Sequence, residues 1–288
     1  MGFRGVLPLA QAVDENGKNW QSFFYKTTGP TQGTAGRWCD AAVGAGIPVY
    51  QAYVGTQYEA TPLIGAANRG IYAGPAPSAG ETKHLFAVSA GTSGTGVPLT
   101  LLLCDYVLFY PLVDMDSIDT QVMDNTAPLP RYSDGDGIMV FFSVAAPMTG
   151  SGTLTINYTN QAGVSGRTAS IGISTSTVIG ALVNTSKATT GTGALSPFIP
   201  LASGDTGIRS VESVTCGTAM GGFCNLILVK PLASLVVRER NTQAEKILLP
   251  QNANCPEVKS GAYLNFLTLN GATATYAPLR GFVQFAWS

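Results

Sequence analysis

The sequence predicts an all-β protein made of tandem, duplicated β-sandwich modules of jelly-roll type. Short β-branched and aromatic runs alternate with Gly-, Ser- and Asp-containing turns along the whole chain. No helical stretches are interleaved with them, as a parallel α/β fold would need. The same order of turns and strands also occurs twice. Gly80-Glu81-Thr82, a strand from His84 to Ser89, and Gly91-Thr92 recur as Gly204-Asp205-Thr206, a strand from Ile208 to Val214, and Gly217-Thr218. The spacing between the copies is nearly constant, which points to an internal repeat. The alternative is two unrelated β-domains that share turn chemistry.

The elements follow in order. Residues 1–19 form an N-terminal arm, with Val6 to Leu9 as an extended anchor and a turn at Asp14 to Lys18. Module 1 spans 20–148. It opens with a strand at Gln21–Lys26, then an irregular or edge strand around Pro48, since proline cannot donate to a ladder. Leu99 to Val113 makes one long or two shorter buried strands, and Ile138 to Val144 another. Module 2 spans 149–288. Gly152 to Tyr158 and Gly281 to Trp287 alternate apolar and polar residues, as half-buried strands do. Ser170 to Val183 is rich in Ser, Thr and β-branched residues, and Thr185 to Ser196 reads as a low-complexity loop. Asp40–Val43 and Ala244–Leu249 are each expected to make a turn of helix. The repeat also pairs Leu101–Val113 with Leu226–Val237, Ile138–Phe141 with Tyr263–Phe266, and Gln32, Gly33, Gly36 and Arg37 with Gln161, Gly163, Gly166 and Arg167.

Composition narrows the function. Charged residues make up 11% of the chain, against about 25% in typical globular proteins. Much of the surface is therefore expected to be covered by partners, unless Ser, Thr, Asn and Gly supply it. Net charge is −1 and no basic cluster occurs, which argues against phosphate-driven nucleic-acid binding. The longest apolar stretch, Val97–Val113, is interrupted by Pro98, Thr100, Asp105 and Pro111, and so is not expected to span a membrane. No secretory leader is expected. The five cysteines do not recur between modules and read as buried free thiols made in a reducing cytoplasm.

No enzyme pattern emerges. His84 is the one histidine, so no nucleophile–base triad is expected. Nucleophile-elbow and phosphate-loop spacings are missing. Asp134-Gly135-Asp136-Gly137 starts like a calcium loop, but Ile138 stands where an oxygen ligand belongs. No cofactor or metal site is expected. Tyr50, Gln51, Tyr53, Gln57 and Tyr58 read as core or interface packing, or as an aromatic sugar platform. One contrast between modules is suggestive. Asp114, Asp116 and Asp119 follow the long strand of module 1, while Arg238, Glu239 and Arg240 follow its counterpart in module 2. Opposite charges at equivalent places would let the two modules recognise each other, between chains or within one. The other reading is two solvated strand ends.

Phe198 to Val211, with Leu228-Val229-Lys230-Pro231-Leu232, resembles segments of head and tail proteins of tailed bacteriophages. The resemblance implies a capsid decoration (cement) protein that bridges capsid subunits, with no catalytic residues. Its expected partners are the major capsid or other virion proteins. A homotrimer assembled in the host cytoplasm would place six similar modules around one axis. The alternative is a phage tail or adhesin-type protein that binds a glycan or receptor.

Overall fold

The structure, a computed structural model, describes residues 8, 11, 12, 14, 17–29, 35–66, 69–183, 196–248, 255–272 and 274–288. The described residues form fifteen strands: β1 (Asn19–Lys26), β2 (Trp38–Asp40), β3 (Gly46–Ile47), β4 (Thr61–Pro62), β5 (Lys83–Thr92), β6 (Leu99–Asp114), β7 (Gln121–Val122), β8 (Met139–Ala146), β9 (Gly152–Asn160), β10 (Arg167–Ile173), β11 (Ile208–Cys216), β12 (Phe223–Val237), β13 (Gln243–Ile247), β14 (Leu264–Asn270) and β15 (Leu279–Trp287). The fold is thus all-β, of the sandwich class. The apolar run after Pro98 is one strand of 16 residues, β6. The residues expected to form an arm lie largely outside the described ones, but Pro8, Gln11, Ala12 and Asp14 are helical. Most of Thr185–Ser196 also lies outside them.

Three antiparallel sheets result. Sheet I has the order β13-β5-β15-β1-β3 and sheet II the order β10-β9-β11-β7. The central sheet runs β2-β14-β6-β12-β8, with β4 added on β6. β6 and β12 pair along nearly their whole lengths, from Phe223 opposite Asp114 to Val237 opposite Leu99.

Exchanging β5–β9 for β11–β15, and β1 for β10, turns the strand order of sheet I into that of sheet II. The same exchange maps the middle of the central sheet onto itself. Only the short strands β2, β3 and β4 fall outside it. The segments 20–148 and 149–288 share every sheet: β15 lies between β5 and β1, and β12 between β6 and β8. Long-range pairing of this kind cannot be read from the local pattern of turns. It also separates Arg37 from Arg167. Arg37 precedes β2 of the central sheet, whereas Arg167 opens β10 of sheet II, whose counterpart in the exchange is β1.

Bulges at Val107 of β6 and Leu232 of β12 reset the alternation of side chains, so both ends of the central ribbon bury one face. Leu99, Leu101 and Leu103, with Leu235 and Val237, pack on Leu85, Val88, Val283 and Phe285 of sheet I. Tyr110, Val113, Leu226 and Leu228 pack on Leu154, Ile156, Val211 and Val214 of sheet II. The opposite face carries Tyr106, Phe109, Phe141 and Ile227, with Trp38 of β2, and is covered by Tyr53, Leu63, Leu182 and Phe198 from irregular segments. Each large apolar side chain fully buried in these cores contributes about 1.5–3 kcal/mol.

One expected helical turn forms and the other does not. Ala41–Val43 is a 3-10 turn capped by the Asp40 carboxylate. Residues 243–247 instead form β13, the edge of sheet I, paired with Ala87–Gly91. Hydrogen bonding to β5 outweighs the helix propensity of Ala244, Glu245 and Lys246.

Candidate functional site

The buried polar groups are organised as structural braces. Asp40, fully buried, accepts from Ala42 N (2.9 Å), Tyr53 Oη (2.6 Å) and Tyr106 Oη (2.8 Å). Burial raises its pKa, and these donors together with the charge of Lys26 oppose the rise. Lys26, also buried, donates to the carbonyls of Gly44 (2.9 Å) and Pro48 (2.7 Å). Asp105 is held in the central sheet by Arg131, which also donates to the carbonyls of Leu63 and Tyr106.

The repeated Gly-acid-Thr element has a clear role. Asp205 pairs with Arg167 at the start of β10 (2.8 Å) and accepts from Tyr158 Oη and Asn160 Nδ2. Arg167, then Tyr158, holds its carboxyl down to about 2. Glu81 pairs with Lys18 immediately before β1 (2.6 Å). Each acid therefore anchors the opening of the same strand position in its outer sheet.

For one candidate set the structure decides between packing and a sugar platform. Tyr53 is 2% exposed and its hydroxyl is bound to Asp40. Gln51 accepts from Tyr263 Oη, and Gln57 donates to the Leu112 carbonyl. The five residues read as a possible sugar platform do not share an open surface, because the hydroxyl of Tyr53 is needed to satisfy a buried carboxylate. Asp134 accepts from Asp136 N and closes its own turn, whereas Asp136 accepts from Thr206 Oγ1 and ties that turn to the one before β11. Among the described residues, no three His, Cys, Asp or Glu side chains converge as a metal site. Cys39, Cys104, Cys216 and Cys224 are buried free thiols, and Cys255 is half-buried. Burial pushes Cys39 up to about 12 and Cys216 to about 11.

Asp114 ends β6 and Asp116 lies in the turn before β7. Arg238 follows β12 and Arg240 lies in the turn before β13. Because β6 and β12 are antiparallel, the acidic and basic turns sit at opposite ends of a ribbon about 50 Å long at roughly 3.3 Å per residue. They cannot meet within one chain. None of the four takes part in an ion pair among the described residues.

Sequence reasoning missed the outer face of sheet I. Phe23 (69% exposed), Tyr25 and Ile47 stand on it in neighbouring strands, with Val49 and Tyr50 exposed beside them. Phe23 meets Phe282 edge-on, ring centroids 6.3 Å apart. The exchange of strands puts the cross-strand pair Ser170–Thr155 of sheet II at the place of Phe23–Phe282. Those two hydroxyls bond each other at 2.7 Å. The alternation in Phe23-Phe24-Tyr25 was the available signal: Phe24 is buried and its two neighbours are not.

No family model, curated protein or solved structure matches the chain.

Proposed function

We propose that this protein is a non-enzymatic structural component of a phage particle, of the capsid-decoration type, that acts by covering apolar surface on neighbouring virion subunits. The contrast between the two outer sheets carries the reading. Equivalent positions hold Phe23 and Phe282 on one sheet and Ser170 and Thr155 on the other. A hydroxyl-rich face is stable in water. An exposed aromatic face of the same geometry gains about 25 cal/mol for each Å² of apolar area that a partner covers. In this reading sheet I faces the assembly and sheet II faces solvent.

The low charge content supports the reading, as does the commitment of the buried Asp, Arg and Tyr groups to structural bonds. The matching strand exchange supports an origin by duplication, with the halves intertwined. The test is co-sedimentation of the purified protein with expanded shells of its own phage. Saturable binding that raises the temperature of shell disruption is the expected result. Shells that neither bind nor gain stability would remove the decoration reading.

A further inference from the structure

The aromatic face of sheet I contains a cavity of about 310 Å³ whose lining includes Phe23, Phe282, Asn241 and Arg280. Arg240 precedes Asn241 at the rim, and Arg238 lies just beyond. None of these three arginines is in an ion pair among the described residues. The cavity thus has an aromatic floor, with Arg280 in its lining and Arg240 next to its lining residue Asn241; the acids beside it are Glu239 and Glu245.

The opposite end of the ribbon has complementary features. The turn between β6 and β7 presents Ile118, 61% exposed, between the exposed carboxylates of Asp116 and Asp119. Val122 extends this apolar tip and is 71% exposed. No Lys or Arg occurs between Lys83 and Arg131, so nothing in that stretch neutralises the acids.

We infer that the sheet I cavity receives the β6–β7 turn of a second copy of this chain. Ile118 seats on Phe23 and Phe282, and Asp116 and Asp119 face Arg240 and Arg280. This identifies the partner of the aromatic face and rests on the assembly reading above. The occupant is argued from charge complementarity: an apolar side chain flanked by two acids matches an apolar floor flanked by arginines. The contact joins opposite ends of the molecule, so it is heterologous and generates a ring or an open chain of copies.

The test is a charge exchange read by light scattering and sedimentation velocity. The wild-type protein should self-associate. D116R/D119R and R240E/R280E should each weaken self-association roughly 100-fold or more, because like charges then oppose each other across the contact. Mixing the two variants should restore assembly, since each supplies the partner the other lacks. I118S should weaken association while leaving its response to salt unchanged. A monomeric wild-type protein, or two variants that assemble normally alone, would overturn the inference. So would two defective variants that fail to rescue each other while both remain folded by circular dichroism. Shell co-sedimentation separates this failure from that of the functional reading. Shell binding without self-association removes only the head-to-tail contact, and self-association without shell binding removes only the decoration role.

Discussion

Arg131 grips Asp105 with two parallel hydrogen bonds, Nη2 to Oδ1 at 2.7 Å and Nε to Oδ2 at 3.0 Å, with both side chains nearly inaccessible to water. The pair ties the segment before β8 to the middle of β6. Tyr263 N and Tyr132 Oη donate to the same carboxylate, so all three stretches meet at one charge. Arg131→Met is expected to cost about 3–5 kcal/mol, because it leaves that charge buried and uncompensated. Replacing both residues by apolar ones should recover only part of the loss, since Tyr263 N and the carbonyls of Leu63 and Tyr106 also lose partners. Urea unfolding of the single and double variants measures this.

Tyr53→Phe removes one short hydrogen bond to Asp40 and nothing from the surface. It is expected to destabilise the fold by about 1.5–3 kcal/mol, the range for a hydrogen bond to a charged group. Tyr50→Phe, at a half-exposed position, should leave the unfolding midpoint unchanged. Equal effects of the two would contradict the buried assignment of Tyr53.

Burial holds Lys26 down to about 8 from an ordinary 10.5, with Asp40 opposing, and burial likewise holds Lys83 to about 8. At these two groups the unfolded chain therefore binds more protons than the folded one between these values, and their contribution to stability rises with pH across that window. The buried thiols and tyrosines, whose pKa values burial raises, act in the opposite sense above about pH 9, so the lysine contribution is read as the difference in urea midpoint between wild type and Lys26→Met from pH 8 to 10.5. Lys26→Met should flatten its share of that rise. It should also lower the midpoint throughout, because the carbonyls of Gly44 and Pro48 lose their donor.

Asp205 behaves in the opposite sense. Its folded value of about 2 lies below the ordinary 3.8. Its contribution to stability is complete above the unfolded value and is lost as pH falls through the folded one. Asp205→Asn should be less stable than wild type at neutral pH, and the gap should close between about pH 4 and 2. A gap that persists below pH 2 would show that the ion pair with Arg167 is not its source.

Several features were legible in the residues themselves. Turn chemistry marked both Gly-acid-Thr elements, and alternation marked β9 and β15. A long, mostly apolar run marked β6, whose 16 residues are inaccessible on both faces along most of their length. Ala244–Ile247 misled because it is short, made partly of good helix formers, and held as a strand by pairing with β5, which is distant in sequence. Tyr53 was open to two readings, packing or a sugar platform, because its buried partner Asp40 is only brought to it by the fold.

The sequence by itself determined that the chain is all-β, where its principal strands lie, that opposite charges follow its two longest strands, and that few charges are available for its surface. These are local properties, set by period, turn residues and composition. Only the tertiary structure decided that segments 20–148 and 149–288 exchange strands, that the acidic and basic turns stand at opposite ends, and that one outer sheet is aromatic where its counterpart carries hydroxyls. Those depend on which strands pair across more than a hundred residues, as β5 does with β15. Such pairing is selected by the burial of whole faces against one another, and no local stretch of sequence encodes it.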